Sequence, residues 1–180
     1  MATWQIDVAH SDVNFSVKHM MFSTVRGSFQ DFSGRIYFDP ANPATASVEA
    51  TIKADSVITG PADRDNHLRS PDFFDAANYP ELIFKSTRVE AKSDTEATVY
   101  GDLTIRGTTR EVALEVTFLG QGTNPWGQTV GGFEARTRIN REDFGLTWNQ
   151  ALETGGVLVS KEVSIELDIQ AALVTEETPA

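Results

Sequence analysis

The residues best able to do chemistry in this sequence gather between Pro61 and Phe74, where Arg64, Asp65 and His67 stand close together. A guanidinium makes a forked contact to phosphate or another ligand oxygen, and a neighbouring imidazole donates or accepts a hydrogen bond near neutral pH. The same residues suit a plainer role, a helix cap and an internal Arg64 to Asp65 pair that braces the segment. Catalysis is less well served. Asp63, Asp65 and His67 offer acid and base, yet nothing beside them supplies a nucleophile or an oxyanion site. The sequence has no Gly-x-Ser-x-Gly, no phosphate-cradling glycine loop before a helix and no strand-helix alternation. His10, His19 and His67 lack metal-ligand spacing, and no cysteine offers a thiolate. The expectation is a protein that is not an enzyme, with no catalytic residue, no metal and no cofactor.

Pro61 suits a first helical turn, and Arg64, His67 and Leu68 then share a helix face, so a short helical insert is expected near residues 61–76. Phe73 and Phe74 are bulky enough to seal an opening or to finish a core. The rest of the chain alternates. Val163, Ile165, Leu167 and Ile169 interleave with Ser164, Glu166, Asp168 and Gln170, a segregation that only an extended strand produces. Similar patterns predict strands over residues 3–7, 13–19, 47–59, 82–92, 96–106, 111–120, 130–141 and 158–173. Another strand carries Val25, Gly27 and Phe29 on odd positions but Phe32, Gly34, Ile36 and Phe38 on even ones, and a one-residue bulge near Gln30 and Asp31 would restore the inward face. His10, Ser11 and Asp12 predict one capped helical turn. Strands with one wet face imply an all-β protein, an antiparallel sheet curled around one interior.

Composition narrows the partners. Asp and Glu outnumber Lys and Arg by 26 to 15, for a net charge of -11 in 180 residues, a field that repels nucleic acid and anionic lipid. No basic, aromatic-studded stretch is evident to offset it. Neither a linker nor a shift in composition divides the chain, so one domain is expected over residues 1–174, with a flexible tail at 175–180. No window is apolar enough to span a bilayer, and no stable membrane insertion is expected. The start shows no basic and apolar leader, and with no cysteine the expectation is a cytoplasmic protein, periplasmic or secreted only if a leader was removed.

Particular residues carry a resemblance. Asp7, His10, Ser11, Phe15, Val17 and His19, then Gly27, Phe29, Gly34, Ile36 and Phe38, then Arg64, Asp65, His67, Leu68, Phe73, Phe74, Tyr79 and Pro80 follow one another in an order similar to the YceI-like polyisoprenoid-binding proteins. Gly101-Asp102-Leu103-Thr104-Ile105-Arg106-Gly107 and Asn140-Arg141-Glu142-Asp143-Phe144-Gly145 resemble the second half of that family. The resemblance implies a single lipocalin-like antiparallel β-barrel of about eight strands whose bore holds a long isoprenoid chain.

The inward faces agree with that implication. Phe15, Val17, Phe29, Phe32, Ile36, Ile52, Phe84, Leu103, Ile105, Leu114, Phe118 and Phe133 would line a dry pocket. At the insert, Arg64, Asp65, His67, Leu68 and Phe73 are candidate ligand contacts. His19 continues the Phe15 and Val17 face, either as a contact or as a satisfied core group, and Trp148 is a candidate for the pocket edge. The expected partner is a polyprenyl quinone or polyprenyl phosphate, bound for storage, shielding or transport, and a homodimer is left open. The alternatives are an enzyme acting on a prenyl lipid and a solid-cored β-domain that binds another protein.

Overall fold

Alternation becomes strands along nearly the whole chain of the computed structural model, which describes residues 2–174 other than 40, 151 and 153–157. The tail expected at 175–180 lies outside the described residues. The strands are β1 (Ala2–Ile6), β2 (Asp12–His19), β3 (Ser23–Phe29), β4 (Phe32–Phe38), β5 (Ser47–Lys53) and β6 (Val57–Ile58). Then follow the helix α1 (Ala62–Arg69) and strands β7 (Glu81–Ala91), β8 (Glu96–Ile105), β9 (Thr108–Thr123), β10 (Thr129–Asn140) and β11 (Glu162–Leu173).

Pairing closes the sheet. The order β1-β4-β5-β7-β8-β9-β10-β11 returns to β1 through Trp4 opposite Leu173, an antiparallel barrel of eight strands. The shorter strands prolong it, because β11 pairs with β1 through Ala171, Ala172 and Leu173 and with β2 through residues 164–168. β1 and β2 therefore form one broken staff, as do β3 with β4 and β5 with β6.

Each break has a local cause. Between β1 and β2 a 3-10 turn at Val8–His10 is capped by Asp7, whose carboxylate accepts the Ala9 amide at 3.1 Å. That corrects the expected cap at Ser11 and Asp12, since the Ser11 hydroxyl instead donates to the Gln170 carbonyl at 3.2 Å. The parity flip at Gln30 and Asp31 is a two-residue interruption rather than a one-residue bulge within a strand. The Gln30 amide donates to Ser56 and the Asp31 carbonyl accepts from Lys53, which leaves both Phe29 and Phe32 buried. A 3-10 turn at Ala54–Ser56 splits the strand expected over 47–59.

The insert forms one helix, α1, entered from Pro61, followed by turns that carry Phe73 and Phe74. It crosses one end of the barrel. The opposite end holds a separate cluster of Trp4, Ile36, Phe38, Phe133 and Ala171.

Candidate functional site

Inward positions alternate down every strand, and where they converge they leave a cavity of about 430 Å³ with an almost wholly apolar wall. That volume falls within the ~300–1,000 Å³ typical of small-molecule sites. The wall comes from many strands at once, for example Val25 and Phe29 of β3, Ile36 of β4, Leu103 of β8 and Leu167 of β11. Two inward positions are glycines for lack of room. A Cβ on Gly27 would collide with the Phe15 ring and the Thr59 methyl, and one on Gly101 with the Phe84 ring and the Lys85 carbonyl.

The two ends differ. At the far end Phe38, Phe118 and Phe133 pack mutually with ring centroids 5.0 to 5.6 Å apart, and the β7–β8 turn brings Asp94 and Glu96 to the cavity edge. At the helix end the edge carries Lys18, His19, Thr59, Arg64 and His67. The His67 ring meets Phe73 at 5.0 Å and Trp148 at 4.8 Å, both edge to face, and its Nε2 lies 2.8 Å from the Asp72 carboxylate. These rings form the inner side of the lid.

Of the residues singled out from sequence, Phe15, Val17, His19, Phe29, Phe32, Ile36, Ile52, Arg64, His67, Leu68, Phe73, Phe84, Leu103, Ile105, Leu114, Phe118, Phe133 and Trp148 all border this cavity. Asp65 does not. Its carboxylate turns back to accept the Thr59 amide at 2.7 Å and the Thr59 hydroxyl at 2.5 Å, closing the loop into α1. Burial works to raise the Asp65 carboxyl, but those bonds, the Gly60 amide and the Arg69 charge outweigh it and hold it below the usual carboxylate value. Nor does Arg64 pair with Asp65, as the bracing alternative supposed, because both side chains bond Thr59 instead.

Arg141 was not singled out, yet it is a buried cation beside the cavity, 5 % exposed. Its Nη1 donates to the Leu146 and Trp148 carbonyls at 2.7 and 2.9 Å, its Nε to Ser160 at 2.9 Å and its Nη2 to Val159 at 3.3 Å. Burial pushes its pKa down against the opposing pull of Glu142, and an arginine remains protonated all the same. The signal for it was legible: Phe133, Ala135, Thr137 and Ile139 point inward, and Arg141 is the next odd position. Among the described residues no three His, Asp or Glu side chains converge as metal ligands would.

The description "YceI-like domain" matches residues 4–171. The chain belongs to the YceI-like family. It is 45% identical over 137 residues to Protein YceI of Escherichia coli O157:H7, covering 76% of this chain and 71% of that one. Among solved YceI-like barrels, Burkholderia cenocepacia BcnA superimposes with a TM-score of 0.81 at 28% identity, over 92% of this chain and 98% of that one. A polyisoprenoid binding domain from Saccharophagus degradans shares the fold, with a TM-score of 0.68 at 16% identity over 95% and 98% of the two chains. In this YceI-like chain the matched span contains the barrel wall except the first two residues of β1 and the last two of β11.

Proposed function

We propose that this protein binds a long-chain isoprenoid lipid inside its barrel and stores, shields or carries it, without chemical conversion. The observation that carries this reading is the cavity of about 430 Å³ inside the barrel, whose wall is almost wholly apolar, with packed aromatic rings at the far end and Arg64 and His67 at the helix end. Such a wall rewards hydrocarbon and little else. A tail burying on the order of 500 Å² would gain roughly 12 kcal/mol at ~25 cal/mol per Å², before association and ordering costs. Membership of the YceI-like family and the fold shared with a polyisoprenoid binding domain support the same ligand class.

Charge assigns the ends. An oxygen-rich head group, polyprenyl quinone or polyprenyl phosphate, belongs beside Arg64 and His67, because Asp94 and Glu96 edge the far end and repel anions. Solvent extraction of freshly purified, folded protein followed by mass spectrometry tests the reading. The expected extract contains a near-stoichiometric prenyl lipid. An empty extract, together with no uptake of added prenyl quinone, overturns it.

A further inference from the structure

The β2–β3 hairpin departs from the rest of the molecule in charge and in apolar exposure. Residues 13–30 contain no Asp or Glu, in a chain that carries 26 of them, and the same stretch holds Lys18, His19 and Arg26. Lys18 pairs with Thr24 and Arg26 with Ser16 across the hairpin, so the two cations are diagonal neighbours on its outer, exposed face. Within the hairpin itself no carboxylate opposes these cations, and the nearest on the neighbouring strand β11 is Glu166 beside Arg26.

The hairpin tip is apolar. Met20, Met21 and Phe22 are 42 %, 63 % and 84 % exposed, and three large apolar side chains in succession at a tip are unlike the scattered exposed leucine of an ordinary surface. Backbone bonds hold them outward. Met20 and Met21 adopt φ of 53° and 65°, the left-handed region that side chains disfavour, while the Met20 amide donates to Leu158 at 2.7 Å and the Phe22 amide to His19 at 3.2 Å. The tip also adjoins the mouth, since His19 and Leu158 both border the cavity at the helix end.

From this juxtaposition we infer that the hairpin docks the protein reversibly on an anionic phospholipid surface. Met20, Met21 and Phe22 enter the interface, and Lys18 and Arg26 face the lipid phosphates. Docking there brings the polar mouth of the bore to the bilayer. The inference deepens the isoprenoid reading by naming where the cargo is exchanged, but the docking is measurable without cargo. Trp126 of the β9–β10 loop, 85 % exposed, and Leu119 of β9, 59 % exposed, are apolar too, yet residues 119–129 bring no cation and lie at the opposite end.

Flotation with phosphatidylcholine vesicles, with and without phosphatidylglycerol, tests the inference, each variant being checked for an unchanged melting curve and for lipid content by solvent extraction. Wild-type protein is expected to float with the anionic vesicles and to be released as salt rises. Met21→Ser with Phe22→Ser should weaken partitioning about tenfold or more. Lys18→Gln with Arg26→Gln should weaken it about tenfold on anionic vesicles alone. Trp126→Ser should change neither. An empty extract and no uptake of added prenyl quinone, with intact flotation, remove the isoprenoid reading and uphold the docking. No flotation of the wild type, or flotation lost in Trp126→Ser but kept in the Met21 and Phe22 variant, overturns the inference. So does a wild-type dimer that the Met21 and Phe22 substitutions dissociate, since a second copy would then cover the tip.

Discussion

Arg64 donates from Nε to the Thr59 hydroxyl at 2.7 Å and from Nη2 to the Thr59 carbonyl at 2.9 Å, while that hydroxyl donates in turn to Asp65. One threonine thus receives the side chains of both Arg64 and Asp65 and ties α1 to the end of the strand before it. The arrangement keeps the Arg64 guanidinium at the cavity edge instead of folding it onto Asp65.

Replacing Arg64 with alanine is expected to weaken a prenyl phosphate about tenfold, in line with a hydrogen bond to a charged group. A prenyl hydrocarbon of equal length should lose almost nothing. Fluorescence titration of the variant with this matched pair reads the difference. Equal losses for the two would mean that Arg64 serves only to brace Thr59.

Ala135 faces the bore midway along β10, opposite Val116 and Leu167. An open bore accommodates Ala135→Trp at a stability cost below about 1 kcal/mol and loses its lipid, whereas a packed core pays ~1–3 kcal/mol for the same overfilling. The expected pair of results is a lost prenyl quinone signal and a nearly unchanged urea midpoint. A large drop in the midpoint with normal lipid uptake would point to a solid interior.

Arg141→Met should cost about 3 kcal/mol or more, because it strands the carbonyls of Leu146, Trp148, Val159 and Ser160 in a buried site. Arg141→Lys should recover only part, since a point ammonium cannot span carbonyls that a planar fork reaches together. Urea unfolding curves of the two variants provide the comparison. Full recovery by lysine would reduce the role of Arg141 to its charge alone.

The Asp65 carboxyl, held below its ordinary value of about 4, favours the folded state whenever it is ionised. Its contribution is therefore complete above that ordinary value and is lost as pH falls through the depressed folded one. Wild-type protein should melt higher than Asp65→Asn near pH 7, and the gap should close on acidification below about pH 4. Melting curves recorded over that range test the sign. A gap that stays constant with pH would place the role of Asp65 in its shape and not in its charge.

The barrel wall was readable from the chain because two-residue alternation is local: each residue's parity assigns its face without reference to any partner. β7, β8, β10 and the later part of the strand expected from 158 follow the expected bounds closely, and the inward residues of β2 and β8 border the cavity as their parity implied. β9 runs longer than expected, through Thr123, because pairing with β10 sustains a segment whose own alternation has faded. Arg141 lay within the same logic, one step past Ile139, but a charged residue at a strand end does not advertise burial.

Contacts between distant residues were another matter. Whether Gln30 and Asp31 bulge or interrupt depends on Ser56 and Lys53, and whether Arg64 chooses Asp65 or Thr59 depends on how the loop at Gly60 returns to the helix. The exposure of Met20, Met21 and Phe22 is likewise a property of the fold, where the hairpin turns at these residues and the Met20 amide bonds the distant Leu158 carbonyl.

Sequence by itself determined the strand faces, the apolar lining, the helical insert and the family, since each rests on residue types at short spacing. Only the tertiary structure decided that the wall encloses about 430 Å³ instead of closing on itself, that Asp65 faces away from it and that a buried Arg141 stands beside it. A void and a long-range hydrogen bond are properties of how distant side chains meet, and no local pattern records that meeting.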